Sequence, residues 1–466
     1  MSGDNPAPYL DGIPPDTLRK VQQYLKPFQL SKEKLKEVSA RLYKDMLLGL
    51  ERDPPYDAAV KMLPTFVRAT PDRTDRGDFL ALDLGGTNLR VIHVRVVEGN
   101  PQVLYSESTT ITTEIKEGTG EALFDLIAAC LGDFLVSRDL NGQTLPLGFT
   151  FSFPCEQREI DESILIRWTK GFKCSGVEGR DVVQLLKEAI RRRGDYDIHS
   201  VAMVNDTVGT MMSCGYDQRC EIGMIIGTGT NACYMEEIKN MKRVAGEDGQ
   251  MCINTEWGGF GDDGSLKDIQ TEFDVEVDKT SDNRGVHIFE KMISGMYLGE
   301  IVRLLLVRLA EDKLLFKGRT SEALRTPFTF ETKFISEIEE QDSGLVNTLR
   351  ILTDLGLEWE SVDCAIVRLV CETISSRSAN LCAAALATIA NRIRTNRGLD
   401  HLETTVGVDG TVYREHPKFS MRLQETVCLL APLCDITFHV TEEASGKGAA
   451  MVAAVAQRLA AEPAGQ

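Results

Sequence analysis

An α/β fold assembled from two related halves is what this sequence predicts, and three observations carry that reading. From residue 79 to about 200, β-prone runs alternate with helical patterns. The alternation then restarts at VAMVND (201–206). Finally, a β-run, a Gly/Asp/Thr turn and a second β-run recur at 79–96, 222–235 and 404–413. Strands alternating with helices mark α/β architecture, and three separated copies suggest a duplicated unit clasping one ligand between its halves. At 466 residues the chain has the length for two domains.

Each element follows in order. Residues 1–15 read as a loose tail. Helical patterns occupy 16–26 and 31–50; in the second, Ser31 caps while Leu35, Val38, Leu42 and Met46 share one face. Residues 64–78, with prolines and alternating charges, read as a linker. Next come strands FLALDL and LRVIHVRVV, helix EALFDLIAACLGDFL, strand PLGFTFSF and helix GRDVVQLLKEAIRRRG. VAMVND is followed by helix TVGTMMSCGY and strands EIGMIIG and NACYMEE. A stretch from about 364 to 397 lacks Gly and Pro and reads as one helix, closed by Gly398. TTVGVDGTVY repeats the strand–glycine–strand pattern, and SGKGAAMVAAVAQRLAA is a last helix with small residues on its N-terminal face.

Composition narrows the function. With 42% hydrophobic and 26% charged residues the chain is of the soluble globular class. Lys+Arg 52 against Asp+Glu 70 gives a net charge of −18, which argues against general binding of nucleic acid or anionic membranes. The twelve cysteines form no C-x-x-C and the six histidines no H-x-x-x-H, so a zinc site is not expected. Cys130, Cys371 and Cys382 stand in apolar helical text and read as reduced core thiols. The start of the chain has neither a secretory apolar core nor an Arg-rich transit pattern, and no apolar run approaches the ~18 residues of a membrane span. A cytoplasmic protein without stable membrane insertion is expected.

The polar interruptions carry the chemistry. Between FLALDL and LRVIHVRVV stand Asp83, Gly85, Gly86, Thr87 and Asn88. A hairpin turn accounts for them, because Gly-Gly permits positive φ. A phosphate cradle does so too: glycine lets backbone approach an anion, Thr87 offers N–H and hydroxyl, and Asp83 can reach a divalent cation. This stretch leaves both open, and its recurrence favours the cradle. Other nucleotide sites are missing: there is no G-x-x-x-x-G-K-[ST], no H-R-D and no D-F-G. In WTKGF, Lys170 is either a solvated loop lysine or a compact cation for phosphate. Asn205 and Asp206 follow an apolar strand, as helix caps or as a carboxylate base at the strand's end. Glu256 and Glu290 are surface charges or, with Asn205 and Asn231, acceptors and amides around a neutral polyol.

Taken together, LDLGGTNLR, LPLGFTFSFP, WTKGFKCSG, VAMVNDTVGTMMSCGY, IIGTGTNACYMEE, NTEWGGFGD, FEKMISGMYLGE, TVGVDGTVY and SGKGAA resemble the hexokinase family. The motifs run in order from about residue 16 to 458, as in glucokinase and in the catalytic repeat of vertebrate hexokinases. The resemblance implies two ribonuclease-H-like domains of the actin/hexokinase superfold around a central cleft. The large domain takes 16–69 and 207–441, the small one 77–203 and 446–466, and hinge segments 70–76, 204–206 and 442–445. It also implies a monomeric enzyme that uses ATP and Mg2+ to phosphorylate the 6-hydroxyl of D-glucose and related hexoses, the first step of glycolysis, with no nucleic-acid partner.

Residue by residue, Asp83, Leu84, Gly85, Gly86, Thr87 and Asn88 with Arg90 match the first phosphate loop, Asp83 facing the metal. Thr228 and Gly229 match the second loop, and Gly410 and Thr411 the region near adenosine. Ser152, Phe153, Thr169, Lys170, Asn205, Asp206, Asn231, Glu256 and Glu290 match the sugar-binding set, with Asp206 as catalytic base and Lys170 meeting the transferred phosphate. Three positions depart from the family pattern: Arg167 stands for a usual asparagine, Gly259 for alanine and Ala444 for glycine. Thr230 replaces the cysteine of mammalian glucokinase. A catalytically silent, sugar-sensing module of the same fold is the alternative.

Overall fold

A computed structural model describes residues 8–51, 58–216, 219–246, 248–340, 345–441 and 443–461. Residues 1–7 of the expected tail, Glu442 of an expected hinge segment and 462–466 lie outside the described residues. The strands are β1 (Leu63–Pro64), β2 (Gly77–Leu84), β3 (Asn88–Val97), β4 (Asn100–Thr110), β5 (Leu147–Phe151), β6 (Cys155–Glu159) and β7 (Glu162–Leu165). They continue with β8 (Val201–Val204), β9 (Cys220–Ile226), β10 (Thr230–Glu237), β11 (Gln250–Asn254), β12 (Leu402–Asp409) and β13 (Cys434–Val440).

Two sheets repeat one plan. In the first, ordered β4-β3-β2-β5-β8, the antiparallel run β2–β3–β4 is extended by parallel strands β5 and β8. The second, ordered β1-β11-β10-β9-β12-β13, extends the antiparallel run β9–β10–β11 with parallel strands β12 and β13, and adds β1 at its far edge. β6 and β7 form a separate ribbon. The first two sequence copies are therefore the equivalent hairpins β2–β3 and β9–β10.

The third copy is different. After β12, Gly410 leads into a helix at Thr411–Glu415 instead of a strand. β12 is flanked by β9 on one side and β13 on the other, so a returning strand has no edge to pair with. Sequence periodicity also overlooked β4, whose text NPQVLYSESTT is polar and mostly exposed because it pairs on one side alone. The linker expected at 64–78 begins inside β1, where Pro64 sits on the sheet's edge strand. The tail is structured from Pro8: a 3₁₀ turn spans Pro8–Gly12, the Tyr9 hydroxyl donates to Glu372, and Ile13 is buried.

The helices match their text closely. Helices span Pro15–Leu25 and Lys32–Glu51, and Ser31 Oγ accepts from Lys34 N at 3.2 Å. The long stretch is a single helix, Ser361–Asn396, followed by Gly398 at φ +61. FEKMISGMYLGE divides at Ser294 into helices Ile288–Ile293 and Gly295–Glu311. Among the described residues no helix is long and apolar enough to cross a membrane.

A third core joins the two sheets. It packs Ala81, Ile92, Ala202 and Val204 from the first sheet and Cys220, Cys233 and Cys252 from the second around helix Asp206–Ser213 and the final helix Ala444–Ala461. These helices meet with almost no side chain between them. A Cβ on Gly448 would stand 1.7 Å from the Gly209 carbonyl oxygen, and one on Gly446 would stand 2.1 Å from Ile92. The small-residue face read from SGKGAA is thus a close packing surface. We expect Gly448→Ala to force the helices apart at a cost of about 1–3 kcal/mol, read as a lowered thermal midpoint; an unchanged midpoint would show that the crossing tolerates a methyl group.

Candidate active site

Within each sheet three strands run parallel, β2, β5 and β8 in the first and β9, β12 and β13 in the second, so their carboxyl ends gather on one side. The polar motifs follow those ends: Asp83 to Asn88 at β2, Ser152 at β5, Asn205 and Asp206 at β8, Gly227 to Gly229 at β9, and Gly410 at β12. Ligands of α/β sheets bind at this location.

Asp83 is buried at 4% exposure, and its Oδ2 accepts from Arg90 at 2.8 Å and from Ser445 Oγ at 2.7 Å. Burial pushes its pKa up; Arg90, Ser445 and Lys170 oppose this, while the Asp206 charge adds to it. The turn closes through Gly85 N donating to Asn88 O at 3.0 Å. Neither Gly85 nor Gly86 has positive φ. Their lack of a side chain therefore serves close approach rather than backbone freedom, and a Cβ on Gly86 would touch the Lys170 stem at 3.4 Å. Thr87 and Asn88 stand exposed beyond them.

Lys170 is held above an aromatic floor. Phe153, Trp168 and Phe172 pack with ring centroids 4.9, 5.0 and 5.3 Å apart, and Lys170 Nζ lies 5.7 Å from the Phe153 ring. Trp168 Nε1 donates to Cys174 O at 2.9 Å, which fixes the loop that presents Thr169. Lys170 itself adopts φ +55, the left-handed region, at a cost of order 1 kcal/mol. Ser152 is buried beside Phe153.

At the end of β8, Asn205 caps helix Asp206–Ser213, its Oδ1 accepting from Thr207 N at 2.9 Å. The cap reading thus holds for Asn205. Asp206 is the first helical residue, and Thr207 N reaches its Oδ1 at 2.9 Å as well. The Asp206 charge is felt by Asp83 on one side and by Glu256 on the other, so it lies between the carboxylates of the two sheets.

Glu256 takes a left-handed φ of +51, and its Oε1 accepts from Asn254 Nδ2 at 2.7 Å and Asn231 Nδ2 at 3.2 Å. Asn254, which also accepts from Asn231 at 2.8 Å, was not singled out from sequence, although it stands inside NTEWGGFGD. Its signal is only that of an amide two residues before the acid. Burial holds the Glu256 carboxyl above the usual range; Asn254 and His287 oppose this, and the Asp206 and Glu290 charges reinforce it. Glu290 Oε2 accepts from Thr230 N at 2.9 Å, and a Cβ on Gly229 would come within 2.6 Å of that oxygen. The second loop is anchored to the helix at Gly295–Glu311 by Gly295 N to Gly227 O at 2.7 Å and Met296 N to Thr228 O at 3.2 Å. Gly410, at φ +114, lies against Gly227, where a Cβ would meet Ile226 O at 2.2 Å. Thr228 and Thr411 are exposed beside this contact.

The departures fit locally. A Cβ on Gly259 would stand 2.4 Å from Ala59 O, so glycine is required by the backbone packed there. Thr230 Oγ1 accepts from Trp257 Nε1 at 3.1 Å. Ala444 is buried at the start of the final helix. Among the described residues no three His, Cys, Asp or Glu side chains gather as a ligand set. Asp83 and Asp206, mutually repelling across the site, suit a hydrated Mg2+ that is carried mainly by phosphate oxygens and meets one or two carboxylates.

Comparison with known proteins identifies relatives along the whole of the matched chain. Two family models, both described as Hexokinase, match residues 20–216 and 221–455. The chain is 55% identical over 448 residues to hexokinase-2 of Equus caballus, covering 96% of this chain and 49% of that protein. It is 54% identical over 455 residues to hexokinase-1 of Homo sapiens, covering 97% and 50%. The chain thus spans about half the length of these relatives. Its structure is similar to that of a hexokinase from Schistosoma mansoni complexed with glucose, with a TM-score of 0.86 and 41% identity over 94% of this chain and 99% of that one.

The buried acid makes a testable demand on stability. Because burial raises its pKa in the folded state, Glu256 stays protonated to a higher pH folded than unfolded. Stability from this group is therefore full below the unfolded value and is lost as pH rises through the folded one. Glu256→Gln is expected to raise the thermal midpoint at about pH 7 and to give no gain near about pH 4. A lowered midpoint at neutral pH would show that the amides more than repay the buried charge.

Proposed function

The chain belongs to the hexokinase family, and on that premise we propose that it transfers the γ-phosphoryl group of ATP to the 6-hydroxyl of D-glucose and related hexoses, giving hexose 6-phosphate and ADP. One observation carries the reading. Asp206 stands between two unlike surroundings: glycine loops with Lys170 on one side, and the amide–carboxylate set of Asn231, Asn254, Glu256 and Glu290 on the other. The first suits phosphates and the second a neutral polyol. The glucose bound to the Schistosoma mansoni hexokinase supports the choice of sugar.

In this reading Asp206 accepts the proton of the 6-hydroxyl as that oxygen attacks the γ-phosphorus. Asn205 and the following N–H groups keep the carboxylate at a helix N-terminus, where its negative charge is favoured. Lys170 neutralises charge on the transferred group, and the N–H groups of 86–88 and 228–229 donate to phosphate oxygens. Mg2+, near Asp83, supplies charge neutralisation on the nucleotide. Glu256 and Glu290 accept from sugar hydroxyls, while Asn231 and Asn205 can donate as well as accept. Water carries the same nucleophilic hydroxyl, so productive geometry must wait for sugar; closure of the cleft around the hexose meets that need. The same reading has the chain act as a monomer in the cytoplasm.

A coupled assay of ADP release is expected to show turnover that depends on glucose. Asp206→Asn should lower that turnover ~10²–10⁴-fold, the range for a lost general base, while glucose still binds. Turnover near that of the unaltered chain would reduce Asp206 to a helix terminus, and glucose binding without any turnover would favour a sugar-sensing module.

Trp168 gives a separate readout, being half-buried in the loop that presents Thr169, whereas Trp257 is fully buried and Trp359 lies on the surface, bonded to Thr353. Glucose alone is expected to change intrinsic fluorescence saturably. Trp359→Phe should leave the change intact and Trp168→Phe should remove most of it. A flat titration in protein that phosphorylates glucose would count against closure at this loop.

A further inference from the structure

Two residues outside the matched sugar set meet across the cleft. Arg167 follows β7 in the loop that presents Lys170, and His287 precedes helix Ile288–Ile293, which carries Glu290. Arg167 Nη2 lies 3.1 Å from His287 Nε2. A guanidinium can only donate, so Nε2 accepts and the imidazole proton sits on Nδ1. That atom is buried, lies 3.3 Å from Glu290 Oε1, and makes no well-formed hydrogen bond. The backbone here is rigidly placed: Asp262 accepts from His287 N at 3.0 Å and from Ile288 N at 2.9 Å, holding His287 at φ +61.

We propose that Arg167 and His287 are positioning residues that latch the cleft around the sugar, and that protonation of His287 releases the latch and weakens sugar binding. The proposal rests on the functional reading above. Neutral His287 offers the Nε2 lone pair to Arg167. The imidazolium has none; it presents a second cation to the guanidinium and turns its charge to Glu290, a carboxylate assigned to the sugar.

The groups facing His287 are Arg167 from the small-sheet loop, Glu290 from its own helix, Asp262 from the loop beneath, with Lys61 near that acid, and Glu256 from the end of β11. Burial lowers the His287 pKa, but Glu290, Glu256 and Asp262 together outweigh it and hold the pKa above the ordinary histidine value. The release therefore falls at a higher pH than an ordinary histidine would give. Arg167 is a departure from the family's asparagine, so the latch is a property of this chain's own residues.

The test measures glucose KM, kcat and fluorescence-detected glucose affinity at about pH 6 and about pH 8. In the unaltered chain KM is expected to rise about three- to tenfold at the lower pH, the scale of one hydrogen bond, with kcat changing far less. His287→Gln keeps an acceptor for Arg167 and cannot titrate, so its KM should be low at both values. Arg167→Ala should show the raised KM at both. A pH slope that persists in His287→Gln would assign it to Glu256 or Glu290 and overturn the latch, as would Arg167→Ala with the unaltered chain's KM at pH 8. A chain with no glucose-dependent turnover at either pH would sink the functional reading itself, and the latch with it.

Discussion

The contact of Gly448 with Gly209 is the constraint on which the site depends. Two helices approach backbone to backbone there, and each continues into the chemistry. Helix Asp206–Ser213 begins with the proposed base, and the final helix carries Ser445 in its first turn, just before the crossing. Ser445 Oγ donates to Asp83, its carbonyl accepts from Thr150 Oγ1 at 2.9 Å, and a Cβ on Gly209 would stand 3.0 Å from the same carbonyl oxygen. The crossing, free of side chains, thus joins the helix that begins with Asp206 to the one whose Ser445 holds Asp83.

The second feature is how an acidic protein arranges an acidic site. Asp83, Asp206, Glu256 and Glu290 act on one another, and burial makes ionising Asp83 and Glu256 costly. Three of them have side-chain or backbone donors from elsewhere in the chain: Arg90 and Ser445 for Asp83, Asn231 and Asn254 for Glu256, and the Thr230 amide for Glu290. A polyol hydroxyl entering such a site meets acceptors already fixed in place, which limits the ordering cost of binding. The cationic counterpart, Lys170, is exposed and held in a strained conformation above its aromatic floor.

The two halves remain linked outside the crossing as well. Arg458, near the end of the final helix, bonds Asp72, Asp75 and the Thr70 carbonyl in the segment that precedes β2. A motion of one sheet relative to the other thus bends around one helix whose two ends are tied to the connecting segments.

The sequence by itself determined the elements and the chemistry types. Periodicity marked the helices at Lys32–Glu51 and Ser361–Asn396, because burial on a helix recurs at a fixed spacing. The β-runs of β2, β3, β9 and β10 were equally plain, and the ordered motifs named a family. The tertiary structure decided the rest. It turned TTVGVDGTVY into strand and helix because both edges of β12 were taken, and it hid β4, whose text is that of a one-sided edge strand. It reassigned Gly85 and Gly86 from turn freedom to close approach, since neither has positive φ. It also brought Asn254 onto Glu256 and Arg167 onto His287. The reason is general: repeating patterns report which side of an element is buried, whereas a site is made by partners far apart along the chain, and only the packed backbone says which of them meet.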